Sequence, residues 1–346
     1  MHAPPRGRGR APARSWVHWA ALAALVLAAP ALAGCSVRML AIRTLADALA
    51  SGADVYATDE DPELVAAALP FALKTAEGML AQDPTNRNLL LAMGRGFTQF
   101  AYGFVQMPAE ALGDADFERV EAERQRALKL YARARGYSLR GLETTHPGIG
   151  ERLQQDPTAA AAELTREDVP LAYWTAASWG AAIGLGKDRP DLLADLPAVR
   201  ALLERVLALD EAWEGGAVHE AFIALEAATP GADSMEKAKR HFARAVELSR
   251  GQDASPYVSY AESIAVPAQD RATFESMLGK ALAVDPDAKP QLRLANTLAQ
   301  RRARLLQARV DDYFLGDEPA AEGDEPSTKD DSPPPADADH DGDPLP

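Results

Sequence analysis

The sequence predicts an all-α fold of packed helix pairs, a solenoid or bundle. Three observations predict it. Alanine and leucine dominate the central three hundred residues, runs of β-branched residues are rare, and no stretch alternates apolar and polar residues for long. Apolar residues recur at helical spacing between short breaks rich in Asp, Pro, Asn and Gly. Four segments also superimpose as helix ends: Met79-Leu-Ala-Gln-Asp-Pro84, Val206-Leu-Ala-Leu-Asp-Glu211, Ala245-Val-Glu-Leu-Ser-Arg250 and Ala281-Leu-Ala-Val-Asp-Pro286. The last two steps are 39 and 36 residues, near the roughly 34-residue period of tetratricopeptide (TPR) repeats. Each such pair buries its apolar face only against its neighbours. The expectation is therefore a TPR-like helix-pair superhelix.

Taken in chain order, the first element is not part of that fold. Four arginines (Arg6, Arg8, Arg10, Arg14) precede an apolar run from Val17 to Leu32, and Leu32-Ala33-Gly34-Cys35 follows. A basic region, a short apolar region and small residues before a cleavage point make a signal peptide. Cysteine at the first mature position makes it a bacterial lipoprotein signal, in which the Cys35 thiol receives a diacylglycerol. The run contains His18 and Pro30 and falls short of the roughly 20 apolar residues that span a bilayer. The expected division is signal peptide 1–34, lipid anchor and N-terminal helix 35–57, TPR-like domain 58–315 and acidic disordered tail 316–346. Ser36, in a Gram-negative cell, points to the periplasmic leaflet of the outer membrane rather than retention in the inner one.

Asp61-Pro62-Glu63 has the form of a helix start, with proline early and an acid in the first turn. Asp83-Pro84-Thr85-Asn86 ends that helix and caps the next. The next runs from Leu89 to about Val105, with Phe97, Phe100 and Phe104 in one stripe. Long helices are expected at about 115–143, 157–165, 170–185 and 195–209. The first repeat step is 127 residues, so regular stacking fails in the middle, and residues 107–200 are divergent pairs or an insertion. After Gly316 the chain holds eleven acids against Lys329 and almost no apolar residue. Such a segment cannot offset its ordering entropy. Asp337–Asp343 lacks the spaced glutamate and flanking helices of an EF-hand.

The formal charge is −15, and loss of the four signal arginines leaves the mature chain near −19. An acidic protein of this kind argues against nucleic-acid binding and against adsorption to anionic lipid. Cys35 is the only cysteine, so no internal disulfide can form. His219-Glu220 resembles the start of a zincin motif, but Ile223 stands where the second histidine belongs. It is expected as a hydrogen-bonded helix pair; a catalytic dyad is the alternative. Gly94-Arg95-Gly96 lies inside an apolar helix with no strand before it, so a phosphate loop is not expected there. No motif for a cofactor, a metal or a nucleophile is present, and the expectation is a protein that is not an enzyme.

Two stretches concentrate aromatic and small residues. One is Gly94 to Phe104, whose glycines cost about 0.8–1.0 kcal/mol each in a helix relative to alanine and so imply a geometric reason. The other is Leu171 to Gly180, with Tyr173, Trp174 and Trp179 among alanines. Both are either tight core or the wall of an apolar cavity. The cavity candidates are Phe97, Phe100, Phe104, Tyr173, Trp174 and Trp179.

Several segments together resemble one family. They are Asp61–Val65, Leu69–Lys74, Asn88–Leu91, Phe97–Tyr102, Leu130–Arg135 and Tyr173–Trp179, then Gly216–Glu220, Arg240–Ala245, Ser255–Ala261 and Leu294–Arg302. They are similar to the T-component (TatT) proteins of tripartite ATP-independent periplasmic (TRAP) transporters, over about residues 36–315. The resemblance implies a periplasmic lipoprotein of TPR-like helix pairs that partners a TRAP solute-binding protein. It also implies oligomerisation, as a trimer, and apolar tunnels able to hold hydrophobic ligands. The resulting expectation is a transporter accessory, attached to the membrane through its N-terminal lipid, with an apolar or organic-acid ligand in a helical tunnel. The alternative is a TPR scaffold lipoprotein for envelope assembly that takes no small molecule.

Overall fold

The computed structural model describes Thr44 and residues 53–314. The signal region, Cys35 and the acidic tail lie outside the described residues. All regular structure among the described residues is helical. Helix α1 spans Ala53–Ala57, α2 Pro62–Leu80 and α3 Arg87–Ala101. A π-helical turn over Tyr102–Gln106 leads into α4, Met107–Leu112. Then come α5 (Phe117–Glu143), α6 (Ile149–Gln155), α7 (Pro157–Ala162) and α8 (Val169–Leu185). The C-terminal half holds α9 (Pro190–Leu193), α10 (Leu196–Leu209), α11 (Ala217–Ala228) and α12 (Ser234–Leu248). Helix α13 (Ser255–Tyr260) runs into a second π-helical turn, Ala261–Ala265, before α14 (Arg271–Ala283) and α15 (Arg293–Ala308).

The caps explain the boundaries. The Asp61 carboxylate accepts hydrogen bonds from the N–H groups of Glu63 and Leu64, each at 3.0 Å, and Pro62 supplies a first helical residue that needs no partner for its nitrogen. Asn86 does the same for α3, accepting from Leu89 N–H at 3.0 Å. Helices α2, α10, α12 and α14 end at Leu80, Leu209, Leu248 and Ala283, inside the four superimposed segments.

The middle of the chain is the packing centre. Helix α5, at 27 residues the longest described, packs along both α3 and α8. Close approach there depends on glycine. A Cβ on Gly94 would lie 1.9 Å from Ser138 Oγ on α5, and one on Gly141 would lie 2.5 Å from Leu171 on α8. The three glycines of the first aromatic stretch meet three different neighbours: Gly94 meets α5, Gly96 meets Leu73 of α2, and Gly103 meets Leu298 of α15. Asp168, just before α8, gathers Arg87, His146 and the Thr165 N–H. That knot ties the start of α3 to the ends flanking α5 and α8.

Four apolar clusters succeed one another. Leu89, Met93 and Tyr131 belong to the first, between α2, α3 and α5. Ile149, Trp179 and Leu202 belong to the largest, between α6, α8 and α10. Ile223, Ala238 and Ile264 form a small cluster where α11 meets α12. Phe274, Leu278 and Leu306 form the last, between α14 and α15. Helix α15 then returns to the first elements. Arg293 Nη1 donates to the Thr58 carbonyl at 2.8 Å, and Arg301 holds Glu63 with two bonds of 2.5 and 2.9 Å. The helices thereby close around a space between the first and last clusters.

Candidate functional site

That space is a cavity of about 540 Å³. Helix α2 contributes Val65, Leu69 and Leu73, and α3 contributes Met93, Arg95 and Gln99. The first π-helical turn contributes Tyr102 and Phe104, and the second contributes Glu262. Tyr173 and Trp174 enter from α8, Glu220 from α11, and Leu294 and Leu298 from α15. Both π-helical turns thus border the cavity, as such turns often do at functional sites.

The six aromatic candidates separate into two groups. Phe104, Tyr173 and Trp174 line the cavity. Phe97, Phe100 and Trp179 pack elsewhere. Phe97 stacks on Tyr137 at 5.8 Å with Arg133 over its ring, and Phe100 carries Arg126 at 6.0 Å. Trp179 is buried in the largest cluster, its Nε1–H donating to Asp195 at 3.0 Å while Arg135 covers the ring.

One end of the cavity is polar, and its charged residues were not among the cavity candidates read from the sequence. Arg95 lies 5.8 Å from the Trp174 ring centroid and 3.6 Å from a Glu214 oxygen, and its Nε is enclosed with no hydrogen-bond partner. Glu214, Gly215 and Gly216 have φ of 45°, 75° and 91°. A glutamate in that region is uncommon and costs about 1–3 kcal/mol; here the turn brings Glu214 and Gly215 to the cavity wall. Glu220 accepts a bond at 3.5 Å from Ser259 Oγ, and Asp253 accepts one at 2.9 Å from Ser255 N–H. Burial, with the nearby Asp253 charge, pushes the Glu220 carboxyl up to about 8. Burial raises Asp253 as well, against the pull of the Ser255 bonds. Tyr102 and Tyr173 border the same end, and burial raises the Tyr173 hydroxyl, with the Glu220 charge adding to the effect. The signal available in sequence was a charge set among small and apolar residues of a helix: Arg95 between two glycines, and Glu220 before Ala221 and Phe222.

His219 and Glu220 do not pair with each other. His219 turns away from the cavity, with Nδ1 2.8 Å from Nδ1 of His241 and Nε2 3.2 Å from Glu211, while Glu220 faces the cavity. Among the described residues no group of three or more His, Cys, Asp or Glu side chains could hold a metal ion. No described helix is long and apolar enough to cross a membrane.

Comparison with known proteins adds two findings. A family model described as "TRAP transporter T-component" matches residues 58–314, which contain every residue that lines the cavity except Tyr56 and Ala57. A protein of Treponema pallidum (strain Nichols), described as an uncharacterized protein, is 35% identical over 306 residues, covering 82% of this chain and 94% of the relative.

Proposed function

The chain belongs to the TRAP transporter T-component family, and from that premise we propose that it is a lipid-anchored periplasmic accessory that binds a TRAP solute-binding protein and carries a small molecule with an apolar body. Family membership gives the transporter role. The observation that carries the ligand half of the reading is the cavity of about 540 Å³ with Phe104, Tyr173 and Trp174 in its wall. Ligand sites are commonly clefts of about 300–1,000 Å³, mostly apolar, with a few polar groups that fix orientation. This space has that size and that distribution of residues. The anchor is the lipid on Cys35, at the periplasmic leaflet of the outer membrane, and assembly into a trimer is the oligomer the family resemblance implies.

Three measurements test the reading. Cys35→Ala is expected to move the protein from the membrane fraction to the soluble one; persistence in the membrane fraction sinks the anchor. Native mass spectrometry of the full chain with its cognate solute-binding protein is expected to show a defined complex and, in the same spectrum, the homo-oligomer. A chain that ignores that partner favours the scaffold alternative. Trp174→Ala is expected to weaken retention of a co-purifying small molecule while the fold persists by circular dichroism. Unchanged retention removes the cavity from the mechanism.

A further inference from the structure

The polar end of the cavity is unevenly paired. Two of its four acids have basic partners: Glu262 is bound by Arg302, and Glu214 faces Arg95. Glu220 and Asp253 make no ion pair within 4.0 Å among the described residues; their hydrogen-bond partners are Ser259 and the Ser255 N–H. Lys289, the other basic residue of the lining, acts on Asp253 through its field, with no contact at ion-pair distance among the described residues. Two half-buried carboxyl groups without a basic partner at ion-pair distance therefore line one cavity, and the Asp253 charge disfavours ionisation of Glu220.

An independent observation points to an occupant with a polar head. Arg95 Nε is enclosed, lines the same cavity and has no acceptor. A buried donor without a partner is destabilising, and a purely apolar occupant would leave it so, along with both carboxyls. An acceptor atom on the occupant satisfies it. A full carboxylate is a poor choice for that acceptor, because the guanidinium already faces Glu214 and the charges of Glu214, Glu220 and Asp253 all act on the neighbouring Tyr173 of the same lining. The rings of Tyr102 and Tyr173 border the recess and lie within the field of Glu220. Carboxyl groups beside aromatic rings make a receptor for a cation.

We propose that this end of the cavity, formed by Glu220 and Asp253 beside Tyr102 and Tyr173, receives a positively charged amino group, so that the ligand is an amphiphilic amine with its apolar chain against α2, α15 and Phe104. The inference rests on the cavity reading above and gives it a substrate class. The ammonium N–H groups take the place of missing basic partners, and its charge restores the ionised state of the carboxyls. Arg95 Nε donates to an oxygen on the same head group where one is present.

The test uses the full chain and three probes of equal chain length: n-octylammonium, n-octanol and n-octanoate, titrated by tryptophan fluorescence and by calorimetry. Octylammonium is expected to bind at least about tenfold more tightly than octanol, because a charge-assisted hydrogen bond in such a site supplies that factor, and octanoate more weakly than either. Octanoate binding as tightly as octylammonium overturns the proposal, as does equal binding of all three, which leaves an apolar cavity with no charge preference. Binding of none of the three overturns the proposal together with the cavity reading. Glu220→Gln, close in shape, is expected to lower octylammonium affinity by about tenfold and leave octanol unchanged. A parallel loss for both probes shows a structural effect and also overturns the proposal.

Discussion

At the scale of single residues, glycines of identical chemistry have opposite consequences. A methyl group at Gly94 would sit 1.9 Å from Ser138 Oγ and 3.1 Å from Ser138 Cβ. Rotating the hydroxyl away leaves the second contact tight, so α3 and α5 must separate. Overpacking of this kind costs about 1–3 kcal/mol, and Gly94→Ala is expected to lower the unfolding free energy by about 2 kcal/mol in urea denaturation. Ser138→Gly in that background should recover part of the loss; additive effects would show that the two residues are not coupled. A methyl group on Gly78 of α2 would have no neighbouring atom within 4 Å, and Gly78→Ala should stabilise by about 0.5–1 kcal/mol. The sequence shows that three glycines in one apolar helix need a geometric reason. It cannot show which neighbour each meets, because Ser138, Leu73 and Leu298 lie on other helices. The aromatic candidates divide for the same reason. Phe104 still touches Phe100, with ring centroids 5.9 Å apart, so the stripe runs on into the π-helical turn, and of its three rings Phe104 is the one that lines the cavity.

At the scale of elements, the helix ends were legible and the π-helical turns were not. Asp61 and Asn86 act as caps through local bonds, and local bonds are what a sequence displays. The two π-helical turns, Tyr102–Gln106 and Ala261–Ala265, carry no such signature, and their neighbourhood is held by a residue distant in sequence. Arg302 on α15 has a side chain 13% exposed and bonds Glu262 of the second turn and Glu110 of α4, the helix just after the first turn. Burial works against its charge, but the two glutamates outweigh that and hold its pKa above the ordinary value. Removing the cation leaves two partly buried carboxylates without their partner, a loss of about 3–5 kcal/mol when burial is full. Both glutamates keep about a third of their surface, so Arg302→Met is expected to cost about 2 kcal/mol by urea denaturation. Arg302→Lys should recover little, because one ammonium cannot present the fork that spans both glutamates. Arg301→Ala, one residue away, breaks an exposed pair with Glu63 and should change stability by no more than about 0.5 kcal/mol. Equal losses at 301 and 302 would refute the assignment of the anchoring role to Arg302.

At the scale of the whole molecule, two half-buried groups on the packed pair α11 and α12 contribute to the pH dependence of folding with opposite signs. His241 of α12 is held down to about 4 by burial and by His219, with Arg240 and Arg200 adding to the effect and Glu226 opposing it. Its unfolded value is about 6.5. As pH falls from about 6.5 toward 4 the unfolded chain binds a proton that the folded protein refuses, so stability is lost on acidification. Glu220, the residue after His219 on α11, is raised to about 8 by burial and by Asp253, against the Ser259 bond, while an unfolded glutamate titrates near 4.3. The folded protein keeps that proton where the unfolded chain releases it. The stability it contributes is full in acid and is lost as pH rises toward 8. Each site changes the unfolding free energy by at most about 1.4 kcal/mol per pH unit, and between pH 5 and 6.5 the two slopes offset one another. The contribution of this pair to the profile in urea denaturation should therefore be flat there. His241→Gln should tilt it so that stability falls with rising pH, and Glu220→Gln should tilt it the other way. Two variants that both stay flat would mean that water reaches these groups and that neither recess is dry, which would also remove the physical basis for a charged receptor at the polar end of the cavity.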